Sequence, residues 1–163
     1  MPAHPLSSPN ESSNQQGFNV HHILLVLALA FVAIPAHAAE LYVEMLTKAS
    51  DSNERNIYAP DLVRVDVGDT VNWVATTKGH NVEFIKGAIP AGVAKFRSKL
   101  SKDSNYTFTV PGVYAYKCTP HYGLGMIGVV IVGRDTSNLD AVKAARYPGK
   151  SKLRMQAIFD QLD

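Results

Sequence analysis

Residues 117–126, KCTPHYGLGM, place a thiol, an imidazole and a thioether within one short stretch of chain. Two residues separate Cys118 from His121, and Met126 follows after four more. A loop of this size can gather the three side chains around one point. Pro120 stiffens its path, while Gly123 and Gly125 allow it to turn sharply. Cys118 is the only cysteine, so it cannot close an internal disulfide. Beyond residue 38 one other histidine remains, His80, in the segment KGHN at 78–81. Two imidazoles, a thiolate and a weakly held axial thioether are the donor set of a copper site built for electron transfer. Thiolate and thioether favour Cu(I), imidazole accepts both oxidation states, and a nearly fixed geometry keeps reorganisation small.

Each of these residues has a plainer reading alone. Buried cysteines are commonly inert, methionine fills cores, and a histidine in a turn is commonly a surface group. Their conjunction at strand ends within one domain is what points to a metal. Other chemistries fit the set less well. A structural zinc site needs four strong donors, and only three are present. A c-type haem needs a second cysteine before the histidine. A cysteine hydrolase could draw on Cys118, His80 and Asn81, but it would leave the glycine-rich loop up to Met126 without a purpose.

The elements that must position these donors read as β-structure from residue 40 to 132. Residues 41–46 (LYVEML) alternate in part, and 63–67 (VRVDV) alternate cleanly before a Gly68-Asp69 turn and a strand at 71–75. Residues 106–110 and 113–117, joined by Pro111-Gly112, have the pattern of a hairpin. The apolar run 126–132 (MIGVVIV) suits a strand covered on both faces. Six or seven such strands imply a sandwich or small barrel. After Gly133 the periodicity becomes helical, over 139–145 and 153–162. Ser137 or Asn138 is placed to cap the first helix, Pro148-Gly149 separates the two, and Leu153, Ala157, Ile158 and Leu162 share one face of the second.

The chain has 163 residues and an apolar share of 46%, enough for one packed domain. Residues 23–35 (ILLVLALAFVAIP), followed by Ala36-His37-Ala38, read as an export signal cleaved after Ala38, although no Lys or Arg precedes the apolar run. The expected division is therefore a leader at 1–38 and a domain at 39–163, with 133–163 as a helical appendage. At 13 residues the run is too short for a membrane span, and none is expected in the mature form. All 16 Lys and Arg and 13 of the 14 acids lie beyond residue 38, for a net charge of +3 there. Lys48, Lys78, Lys86, Arg97, Lys99 and Lys117 are the basic residues around the proposed site. They would steer an acidic protein partner toward an uncharged patch near His121. No continuous basic stripe with aromatic platforms is present, so nucleic acid is not an expected partner.

These residues resemble the cupredoxins, and within them the pseudoazurins, over nearly all of 39–163. The likeness rests on 78–83 (KGHNVE), 111–114 (PGVY), 117–121 (KCTPH), Gly123, Gly125, Met126 and 128–130, together with the two C-terminal helices. The ligand-loop spacing is shared with plastocyanin. The resemblance implies an all-β Greek-key sandwich of about eight strands with two C-terminal α-helices and one type 1 copper held by His80, Cys118, His121 and Met126. It also implies a protein of the bacterial periplasm that exchanges electrons with copper nitrite reductase or c-type cytochromes and is not an enzyme; a monomer is expected. Asn81 would give its amide to the cysteine sulfur and pin the ligand loop with its side chain. Pro120, which has no N–H, would withhold a second such bond. Residues 49–56 and Trp73 depart from the expected pattern. An exported copper chaperone or storage protein is the alternative function, and a metal-free structural domain a further one.

Overall fold

The structure, a computed structural model, describes Met1 and residues 38–162. The apolar run of the expected export signal lies outside the described residues. Among the described residues, eight strands form two four-stranded sheets. The first contains β1 (Glu40–Lys48), β2 (Arg55–Ala59), β4 (Thr70–Val74) and β6 (Ser104–Thr107), in the order β2-β1-β4-β6. The second contains β3 (Leu62–Val65), β5 (Glu83–Phe84), β7 (Gly112–Lys117) and β8 (Ile127–Val132), in the order β3-β8-β7-β5. The β1–β4 and β3–β8 pairs are parallel and the rest antiparallel. Only β1–β2 and β7–β8 join sequence neighbours within a sheet, so the chain changes sheet at nearly every connection. Among the described residues no helix is long and apolar enough to cross a membrane.

The expected hairpin across Pro111-Gly112 does not form. β6 pairs with β4 in one sheet and β7 with β8 in the other. The cause lies in the crossing itself. Phe108 is fully buried between the sheets, where its amide donates to Asp69 O (2.9 Å) and its carbonyl accepts from the Gly68 amide (2.8 Å). Gly112, at φ +132°, then aims the chain into the second sheet, and the Tyr114 hydroxyl donates back to Val110 O at 2.7 Å. An anchored aromatic followed by this turn makes an arch, which looks like a hairpin in the sequence.

Two apolar clusters account for the layers. Val43, Met45, Trp73, Phe84, Phe108, Tyr114, Tyr116 and Val130 fill the space between the sheets. Trp73 is fully buried there against Tyr116 and Phe108. The second cluster packs Val113, Ile127, Val129 and Ile131, on the outer face of the second sheet, against α1 (Leu139–Ala144) and α2 (Lys150–Phe159). Every residue of β8 is therefore buried, as its unbroken apolar run requires. Each large apolar side chain so covered stabilises the fold by roughly 1.5–3 kcal/mol.

The helices depart from expectation in two details. α2 starts at Lys150 and buries Ser151, Met155, Ile158 and Phe159, leaving Leu153 75% exposed and Ala157 exposed. Ile158 and Leu162 of the expected face do pack, but the buried face is completed by Met155 and Phe159, which continue an equally good i, i+3, i+4 stripe. Asn138 stands at the start of α1 but makes no side-chain cap bond. Its Oδ1 accepts from the Val113 amide (2.9 Å) and its Nδ2 donates to Val113 O (2.8 Å), so it fastens the appendage to β7.

Candidate metal centre

His80 lies in the connection between β4 and β5, and the other three donors lie in the connection between β7 and β8. The two loops meet because β5 pairs with β7, with Glu83 opposite Lys117. His80 Nδ1 is 3.1 Å from His121 Nδ1 and 3.9 Å from Cys118 Sγ, and His121 Nδ1 is 3.6 Å from that sulfur. A point equidistant from these three atoms is about 2.1 Å from each, the length of a metal–imidazole bond and close to that of a metal–thiolate bond. The three residues thus make a trigonal pocket already of the right size for one ion. Met126 is fully buried beside them. Its carbonyl accepts from the Cys118 amide (3.0 Å) and its amide donates to His121 O (3.2 Å), so the loop ends where it began.

Burial pushes the Cys118 thiol above its ordinary pKa, and the backbone amides of Asn81 and His121 partly offset this. Burial, and after it the neighbouring His121, lowers the pKa of His80 and favours its neutral, metal-ready form. The ring of His80 is fully buried, whereas His121 is half-buried beside the exposed Pro120. Any route from the site to the surface is therefore shortest through His121.

The supports around the donors are specific. Asn81 Oδ1 accepts from the Thr119 amide (2.8 Å) and its Nδ2 donates to Thr119 Oγ1 (3.1 Å), which ties the segment after His80 to the ligand loop. Thr119 Oγ1 in turn donates to Glu83 Oε2 at 2.6 Å. The Tyr58 hydroxyl holds Asn81 O at 2.6 Å from the core side. From outside, α2 grips the short 3-10 turn Tyr122–Leu124: Ser151 Oγ donates to Tyr122 O, and Gly149, at φ +55°, packs against Gly123 O where a Cβ would not fit. The Tyr122 hydroxyl reaches Arg146 O at 2.7 Å. Sequence reasoning missed Thr119, Glu83 and Ser151. It also missed Thr47 and Thr77, which lie behind His80. Short polar residues have no periodic signature, and only the fold shows what they face.

Lys86, Arg97 and Lys117 line one groove of about 660 Å³, joined there by Lys95, which was not singled out. Phe84, Ile89, Pro90, Val93 and Phe96 give the groove its apolar lining. Glu83 is 3.9 Å from Lys117 Nζ and 3.7 Å from Arg97 Nε, so part of this positive charge is balanced internally. Lys48, Lys78 and Lys99 are exposed and lie outside the groove. Leu100, 56% exposed, shares a shallow pocket with Pro120, Asn81 and Thr119, and Leu124 is 52% exposed.

A profile of the copper binding proteins of the plastocyanin/azurin family matches residues 43–133. Pseudoazurin of Paracoccus pantotrophus is 43% identical over 145 residues, which cover 88% of this chain and 99% of that protein. The solved pseudoazurin of Methylobacterium extorquens superposes with a TM-score of 0.73 at 35% identity, over 76% of this chain and 99% of that one. That of Hyphomicrobium denitrificans gives 0.71 at 37% identity, over 75% and 97%. With its trigonal cysteine–histidine pocket, buried methionine and helical appendage, the chain belongs to the pseudoazurins within the copper-binding plastocyanin/azurin family.

Proposed function

We propose that this protein carries single electrons between redox proteins in the periplasm, as donor to copper nitrite reductase or in exchange with c-type cytochromes, and that it works as a monomer. The observation that supports this most directly is the spacing of the three donor atoms, 3.1, 3.6 and 3.9 Å, which suits one small ion held by His80, Cys118 and His121 with Met126 beside them. Copper bound there supplies a one-electron couple between Cu(I) and Cu(II). The chain's own contribution is to keep that environment the same in both states. His80 and Cys118 are shut from water, the loop is pinned by Asn81 and α2, and only the His121 side approaches solvent. A closed site of this kind favours a resident ion over the readily exchanged ion of a chaperone or storage protein.

Docking would use two features in sequence. The cations of the groove and the exposed Lys48, Lys78 and Lys99 steer an acidic partner from a distance, and the uncharged residues near His121, including Pro120, Leu100 and Leu124, allow brief close contact. Export places such a carrier in the periplasm after cleavage following Ala38. The Cu(II)-loaded protein is expected to show an intense thiolate-to-copper absorption near roughly 600 nm, and a protein that stays colourless when replete with Cu(II) would overturn the assignment. The association rate with an acidic redox partner is expected to fall steeply with salt, and a flat response would remove the steering role of the cations.

A further inference from the structure

Behind His80, on the side away from the donor pocket, two threonines form a chain of hydrogen bonds whose direction is fixed. Thr77 Oγ1 donates its only proton to Met45 O on β1 at 3.2 Å. Toward Thr47 that oxygen can therefore only accept, and it does so twice, from the Thr47 amide at 2.8 Å and from the Thr47 hydroxyl at 3.1 Å. The single proton of the Thr47 hydroxyl is thereby used. Thr47 Oγ1 lies 3.0 Å from His80 Nε2 and can face it only as an acceptor. The proton of the neutral ring must then sit on Nε2. This leaves a lone pair on Nδ1, the atom that faces Cys118 Sγ and His121 Nδ1.

We infer that Thr47 and Thr77 are positioning residues for the metal ligand His80: Thr77 orients the Thr47 hydroxyl, and Thr47 in turn fixes both the tautomer and the tilt of the imidazole. Thr47 is the eighth residue of β1, and Thr77 follows the end of β4, the parallel neighbour of β1. Thr47 thus anchors the relay on a strand, while Thr77, in the β4–β5 connection, is tied back to β1. The Thr77 amide also donates to Met45 O (3.1 Å), which holds the second threonine in place. A ring that is fully buried and bonded in this way enters the pocket with its donor atom already aimed, so metal binding does not have to order it. His121 is only half-buried and is steadied mainly through its backbone, so the two imidazoles are held by different means.

The inference rests on His80 being a copper ligand, and the test separates the two claims. Wild-type, Thr47→Val, Thr77→Val, the double variant and Thr47→Ser would be loaded with Cu(I) and compared by competition with a chromophoric chelator. The His80 Nε2 proton would be followed by nitrogen-edited NMR. Thr47→Val is expected to weaken copper binding by about 10- to 100-fold and to move the Nε2 proton upfield, whereas Thr47→Ser keeps both near wild type. Thr77→Val is expected to have a smaller effect in the same direction, and the double variant to be no worse than Thr47→Val, because the two residues act in series. Copper affinity of Thr47→Val within about twofold of wild type, an unmoved Nε2 resonance, or additive losses in the double variant would each overturn the relay. A wild-type protein that takes up no copper would overturn the ligand assignment beneath it.

Discussion

Replacing Asn81 by alanine isolates the contact that ties the two ligand-bearing loops together. The side chain is only 2% exposed and makes two hydrogen bonds to Thr119, one accepted at 2.8 Å and one donated at 3.1 Å. The backbone around it has its own support, from Tyr58 to Asn81 O, so the substitution removes the clasp without releasing the residue. Each lost bond costs about 1 kcal/mol net, and the half-buried Thr119 amide left without a partner adds about 1 kcal/mol or more. The expected loss is about 2–4 kcal/mol in the metal-free protein. For a domain of this size it corresponds to a fall in Tm of about 10 °C. Thermal unfolding followed by circular dichroism, with urea titration at matched slope, reads this directly. Copper should also leave the variant faster, since the loop carrying Cys118 is no longer held to the segment carrying His80. A change in Tm below about 2 °C, with unaltered copper release, would show that strand pairing between β5 and β7 alone joins the loops and would refute the reasoning.

Three further outcomes follow from the same geometry. Pro120→Ala supplies an amide hydrogen next to the sulfur-bearing loop. An added bond to the Cys118 sulfur should stabilise the electron-rich Cu(I) form and raise the reduction potential in voltammetry, so an unchanged or lowered potential would contradict it. Gly128→Ala drives a methyl group into the ring of Tyr116, which lies across from it in the β7–β8 ladder. It should cost about 1–3 kcal/mol or more in a denaturant titration and clearly less when introduced into a Tyr116→Val background, and an equal cost in both backgrounds would mean that the ring is not the obstacle. His80 is harder to protonate in the folded chain than in the unfolded one, because burial lowers its pKa. The unfolded state therefore binds more protons below about pH 6.5, and the metal-free protein should lose stability as pH falls from that value toward the depressed folded pKa. His80→Gln should flatten this slope, and an equal slope in both proteins would assign the effect elsewhere.

Much of the site was legible because its chemistry sits in rare residue types. One cysteine and two histidines remain beyond residue 38, and their spacing relative to Met126 left few alternatives. β3 and β8 were equally plain, one from strict alternation and the other from an unbroken apolar run matching burial on both faces. The arch at Phe108 was not legible, since a Pro-Gly step between two alternating segments looks the same whether the strands pair or part. β2 and β5 escaped notice because each is short and takes its stability from partners distant in sequence. The helical face of α2 was ambiguous for another reason: several apolar residues can form two stripes, and only contact with Ile127 and Ile131 selects one. Thr47, Thr77 and Thr119 carried no signal at all, because a hydroxyl becomes a support only when the fold brings something for it to hold.

The grip of α2 on the ligand loop has a consequence for the speed of charge transfer. Tyr122 and Gly123 are clasped by Ser151 and Gly149 on the outer side, while Thr119 is clasped by Asn81 on the inner side. When an electron arrives or departs between these two clamps, the surrounding backbone has almost no slack with which to respond. A carrier built this way loses little energy to nuclear rearrangement and can run on a small driving force. Its C-terminal helices then belong to the machinery of conduction, although neither of them contributes an atom to the metal.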